Sequence, residues 1–130
     1  ESGVTVEVSI APNLPVLRAD FVQLQQVMLN LVVNAVDAMR DPAVNTRILT
    51  ILVTASVTEG AVFRFSDTGL GITPAMQEQI FDALFSTKRD GLGMGLAISR
   101  SIIENHGGWL RLETMIGPGA HFVFNIPNSQ

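Results

Sequence analysis

The chain has 130 residues, 47% of them hydrophobic and 15% charged, which suits one globular domain with a real core and excludes a disordered segment. The formal net charge is −4 and the Lys and Arg residues form no cluster, which excludes nucleic-acid binding by phosphate neutralisation. Cysteine is absent, so disulfides and thiolate metal sites are excluded too, in keeping with a reducing compartment. No apolar run is long enough for a membrane span. The chain opens on Glu1 with no Met and no signal peptide, as expected of a piece cut from a longer protein.

Residues 3–11 alternate, with Val4, Val6, Val8 and Ile10 on one face and Thr5, Glu7 and Ser9 on the other. Period two predicts a half-buried strand, which Pro12, Asn13 and Pro15 end. Asp20 is placed to cap the next element, with Gln23 as its capping-box partner. Residues 21–40 predict a long helix, because Leu24, Val27, Met28, Leu31, Val32, Ala35 and Ala38 recur at helical spacing. Asn30, Asn34 and Asp37 interrupt that pattern on one stripe. Asn is an unfavourable helix-interior residue, by about 0.5 kcal/mol against Ala. The stripe is therefore a solvated face, a buried hydrogen-bonded pair, or a face turned to a ligand. An Asn oxygen is a hard, neutral donor acceptable to Mg²⁺.

Asp41-Pro42 ends the helix. Residues 48–57 and 61–66 predict two strands joined by a turn at Glu59-Gly60, and the second delivers Asp67. Thr73-Pro74 starts a helix that should run to about Phe81. A further helix is expected over 95–105, stopped by His106-Gly107-Gly108. Strands are expected at Trp109–Thr114 and Ala120–Ile126, about a turn at Gly117-Pro118-Gly119. Trp109 and the Phe residues are expected in the core, and His121 is expected to face outward. Adjacent hairpins predict a mixed, largely antiparallel sheet with helices on one face: an α+β two-layer sandwich.

The stretch Asp67 to Leu96 organises the chain. It opens with Asp67-Thr68-Gly69-Leu70-Gly71 and closes with Gly91-Leu92-Gly93-Met94-Gly95-Leu96. Glycine admits φ > 0 and close approach of a ligand to backbone N–H groups. Where such a cluster leads into a helix, the free N–H groups and the dipole favour a phosphate. The residues alone thus point to a phosphate-bearing ligand between two glycine turns.

These residues resemble the catalytic, ATP-binding domain of sensor histidine kinases, within the superfamily that includes gyrase, Hsp90 and MutL. Gln26 to Ala35 resembles the N box, Asp67 to Ile72 the first glycine box, Ile80 to Phe85 with Ser86-Thr87-Lys88 the F box, and Gly91 to Leu96 the second glycine box. Four boxes in order cover nearly the whole chain. The resemblance implies a single domain over 1–130 with a Bergerat-type ATP-binding fold, using ATP and Mg²⁺. Asp67 would accept from the adenine amino group, with Gly69, Gly71 and Ile72 beside the base. Asn34 would hold the Mg²⁺ that bridges the phosphates, with Asn30 and Asp37 near metal or phosphate. Gly91, Leu92, Gly93, Met94, Gly95 and Leu96 would line the triphosphate. Phe85, Ser86, Thr87 and Lys88 belong to the lid region, with Lys88 offering a cation for catalysis and Arg89 a second one.

Hydrolysing relatives carry Glu four residues before the metal-binding Asn. Asn30 stands there, so the resemblance implies slow hydrolysis and a γ-phosphate kept for transfer. The acceptor would be a histidine on a separate helical dimerisation domain, absent from this chain, with relay to the Asp of a response regulator. His106 and His121 are expected to be structural. The implied parent is a homodimer with this domain in the cytoplasm, in contact with neither nucleic acid nor membrane. Met94 stands where the family usually has Leu, and Ala120 where it often has Thr. A serine kinase of the anti-sigma-factor type, or a module that binds ATP without transferring it, are the alternatives.

Overall fold

The structure is a computed structural model and describes residues 3–82, 94–113 and 119–128. Its elements are β1 (Thr5–Ile10), α1 (Phe21–Ala38), β2 (Ile48–Ser56), β3 (Gly60–Asp67), α2 (Pro74–Gln77), α3 (Met94–Asn105), β4 (Leu110–Glu113) and β5 (His121–Ile126). The strands form one sheet in the order β1-β2-β3-β5-β4. Only β1 and β2 pair in parallel, because α1 intervenes between them and a crossover returns the chain in the same direction. This is the mixed, mostly antiparallel sheet that the element order predicts.

β3 shows how the sequence fixes the layers. Ala61, Phe63, Phe65 and Asp67 are buried, while Val62, Arg64 and Ser66 are half-buried. The period of two turns the first set toward the helices. Phe63 stacks on Phe124 of β5 with ring centroids 4.6 Å apart. Around them lie Val27 and Leu31 of α1 and Leu96, Ile102 and Ile103 of α3, in one cluster. The phase that buries the two phenylalanines also sends the Asp67 carboxylate to the helix-covered side.

The helix ends follow the expected chemistry. Asp20 caps α1, its Oδ1 accepting from the backbone N–H of Gln23 at 3.0 Å. His106 follows α3; its Nδ1 lies 2.8 Å from the Ile102 carbonyl and its Nε2 accepts from the Asp20 N–H at 3.0 Å. That pattern defines a neutral ring with its proton on Nδ1, joining the end of α3 to the start of α1.

Several expectations are corrected. β1 forms, but Val6, Val8 and Ile10 are 54%, 58% and 61% exposed. They share the helix-side face with Leu49, Ile51 and Val53 of β2, yet β1 is the sheet edge and α1 lies over β2 and β3. α2 stops at Gln77, not near Phe81; tighter turns follow, with Gln79 N–H bonded to the Met76 carbonyl and Asp82 N–H to that of Gln79, both at 2.9 Å. These turns bring consecutive Ile80 and Phe81 against the core. Trp109 stands at the rim, its indole N–H donating to Glu59 at 3.1 Å and its face carrying the Arg111 guanidinium at 3.8 Å. His121 lies on the helix-free face yet is half-buried, and its Nε2 is covered without a hydrogen-bond partner among the described residues. Phe21, in the first turn of α1, is 71% exposed.

Phe124 is fully buried and also lies near Phe65. Phe124→Ala is expected to lower the unfolding free energy by about 3–5 kcal/mol, measured by urea denaturation.

Candidate functional site

β3 ends at Asp67, which is 5% exposed. Its Oδ1 accepts two backbone N–H groups, from Gly69 at 2.8 Å and from Ala120 at 3.2 Å. Its own N–H donates to the Ala120 carbonyl at 3.0 Å. Among the described residues both side-chain bonds go to Oδ1, which leaves Oδ2 as the remaining acceptor. Burial raises the carboxyl pKa above its ordinary 3.8; the Gly69 and Ala120 hydrogen bonds and the nearby His121 act in the opposite direction. A buried carboxylate with one lone acceptor oxygen suits an amino group such as that of adenine.

The glycines beside Asp67 act first within the protein. A Cβ on Gly69 would stand 2.6 Å from the carbonyl oxygen of Ala38, at the end of α1. Gly119 has φ +83, and a Cβ there would run into the Asp67 carbonyl oxygen. Gly71, with φ +83, turns against Gly119. The bareness of Gly69 and the positive φ of Gly71 let backbone pack on backbone around Asp67. Ile72 is half-buried against the main core.

Along α1 the polar stripe divides. Asn30 donates from Nδ2 to the Gly95 carbonyl at 3.2 Å and to Ser99 Oγ at 3.0 Å, both on α3. Its amide nitrogen is therefore committed between helices, the hydrogen-bonded alternative among the three readings. Asn34, one turn on, is half-buried. Asp37 pairs with Arg40 at 3.4 Å. Gly95 brings its backbone to α1, as Asn30 records. The Leu96 side chain is 8% exposed and belongs to the core. Phe85, Ser86, Thr87, Lys88, Arg89, Gly91, Leu92, Gly93 and the side chain of Met94 lie outside the described residues.

Two contributors escaped the sequence. The Ala120 amide is a backbone donor and leaves no residue-type signal. Ser99 is fully buried inside the apolar pattern of α3, and that interruption was its only mark. Among the described residues, no group of three His, Asp or Glu side chains could hold a metal, and no helix is long and apolar enough to cross a membrane.

The chain belongs to the family of histidine kinase-, DNA gyrase B-, and HSP90-like ATPases, whose family model matches residues 19–130. Within it, the fold is that of histidine kinase catalytic domains: the nucleotide-free catalytic domain of the histidine kinase ThkA superposes with a TM-score of 0.82 at 30% identity, over 96% of this chain and 79% of that one. Full-length ShkA in complex with AMPPNP gives 0.80 at 30% identity, over 96% of this chain and 26% of ShkA. Among curated relatives, the sensor histidine kinase TmoS of Ectopseudomonas mendocina is 37% identical over 129 residues, 98% of this chain and 13% of TmoS. The sensor protein FixL of Bradyrhizobium diazoefficiens is 39% identical over 127 residues, 98% of this chain and 25% of FixL. The chain thus spans a quarter or less of the length of these two relatives.

Because burial raises the Asp67 pKa, the folded state holds the proton more tightly than the unfolded chain does. Asp67 therefore favours folding most below its ordinary pKa, and that contribution is lost as pH rises through the raised value. Asp67→Asn keeps an oxygen for both amides and carries no charge. The variant should be at least as stable as the native chain at neutral pH, and its advantage should shrink as pH falls toward 3.8; paired thermal melts across that range measure it.

Proposed function

We propose that this chain is the ATP-binding catalytic domain of a two-component sensor histidine kinase, which binds Mg-ATP and passes the γ-phosphate to a histidine on a separate helical domain. The observation that carries the reading is Asp67, a buried carboxylate fixed through one oxygen with the other left to accept. The name of TmoS, a sensor histidine kinase, supports the kinase assignment, and the AMPPNP bound by ShkA supports a nucleotide ligand.

In this reading Asp67 orients the adenine by accepting from its amino group. Asn34 supplies a neutral oxygen to Mg²⁺. The donor set fits: Mg²⁺ keeps several waters and takes few protein ligands beside phosphates, so a single Asn suffices where the described residues hold no acidic cluster. When bound, the ion neutralises charge on the phosphates. Lys88 contributes a further positive charge, and Gly91 and Gly93, which precede α3 in the sequence, contribute backbone N–H groups.

Transfer rather than hydrolysis follows from the chemistry of position 30. Asn30 is an amide whose nitrogen is engaged on α3, so it cannot take a proton from water. An acceptor on another domain is supported by the chain's own histidines: both ring nitrogens of His106 are hydrogen-bonded, and Nε2 of His121 is buried. The acceptor histidine, a response regulator, a homodimeric parent and a cytoplasmic setting complete the proposal.

Calorimetric titration tests it. The native chain should bind Mg-ATP, more weakly without Mg²⁺, and Asp67→Asn should lose about ten- to a hundredfold in affinity, the range of one hydrogen bond to a charged group. Affinity should also fall on acidification through the raised Asp67 pKa, because a protonated carboxyl presents a donor. With γ-labelled Mg-ATP the chain should hold no stable label; label that stays would overturn transfer to another domain.

A further inference from the structure

We propose that Ser99 is a positioning residue for the nucleotide site, and this rests on the function proposed above. Ser99 is fully buried on α3, beside the core residues Leu96, Ile102 and Ile103. A hydroxyl in such a place is costly unless bonded. Its oxygen accepts from Asn30 Nδ2 at 3.0 Å, and the same nitrogen reaches the Gly95 carbonyl at 3.2 Å.

Sterics set the same spacing from the other side. A Cβ on Gly95 would stand 3.2 Å from Asn30 Cγ and 3.3 Å from its Nδ2, tight enough to push the amide away. Attraction through Ser99 and bareness at Gly95 thus fix the distance between α1 and the first turn of α3. Asn34 lies one turn along α1 from Asn30, and α3 follows directly on the glycines at 91 and 93. The Asn30–Ser99 bond therefore joins the helix that carries the proposed metal-binding Asn34 to the first turns of α3, where Gly95 stands. Ser99 acts through Asn30 and the helix spacing, one step removed from any ligand.

The test is a double-mutant cycle on the 130-residue chain, with Ser99→Ala, Asn30→Ala and both together. Each protein is read by Mg-ATP calorimetry and by urea unfolding without nucleotide. Ala is a better helix former than Ser, so Ser99→Ala should fold. It should weaken Mg-ATP binding about three- to tenfold, the range of one hydrogen bond, and should add less than about twofold when Asn30 is already Ala. Gly95→Ala should weaken binding with the Ser99 hydroxyl still in place. Native-like affinity in Ser99→Ala, or a loss of equal size with and without Asn30, would overturn the proposal. Coupling seen only in unfolding would leave an ordinary interhelical bond and overturn the positioning role. No Mg-ATP binding by the native chain, which is titrated first, would overturn the proposed function and the positioning role with it. Binding by the native chain with unmoved variants would overturn the Ser99 inference alone.

Discussion

Two backbone amides converge on one oxygen of Asp67, and the functional end of the sheet is built around that convergence. The Gly69 amide turns the chain out of β3, and the Ala120 amide brings β5 in beside it. Neither could come so close with side chains at Gly69 and Gly119, where α1 and the Asp67 backbone already stand. The carboxylate is thereby oriented through Oδ1 at a site only 5% exposed, where an unpaired polar group is costly. The fold bears a desolvation penalty for burying that carboxyl, which raises its pKa.

α1 works on two sides. Val27, Leu31 and Ala35 bury against the sheet and core, while its polar edge reaches α3. The two helices run antiparallel and are tied at two levels: the start of α1 to the end of α3 through Asp20 and His106, and the middle of α1 to the start of α3 through Asn30. Between these ties the contact is apolar. Such a pair resists sliding along its axes, since a shift of one turn would break both polar ties together.

Most of the fold was legible because local chemistry and global packing agree. The strand run ending at Asp67 marked β3, the Asp20 cap marked the start of α1, and the glycine after His106 marked the end of α3. What was not legible depended on partners far along the chain. The apolar face of β1 reads as half-buried from its own alternation, yet its exposure is decided by how far the helix layer extends. Asn30 carries no sign of whether its amide meets a ligand or Ser99, 69 residues away. Leu96 stands inside a glycine-box pattern yet serves the core, because helical spacing points it there. Ala120 contributes through its N–H, which every residue but proline possesses.

Trp109 stands at the opposite end of the sheet from Asp67, bonded to Glu59 beside the first residue of β3. The eight residues of that strand put roughly 24 Å between its ends at about 3.4 Å per residue. The chain has a single Trp and no Tyr, so its near-ultraviolet emission comes from that one indole. An optical signal placed there registers the integrity of the sheet's remote corner. This domain therefore carries a built-in fluorescent reporter whose single indole sits at the far end of β3 from the buried carboxylate.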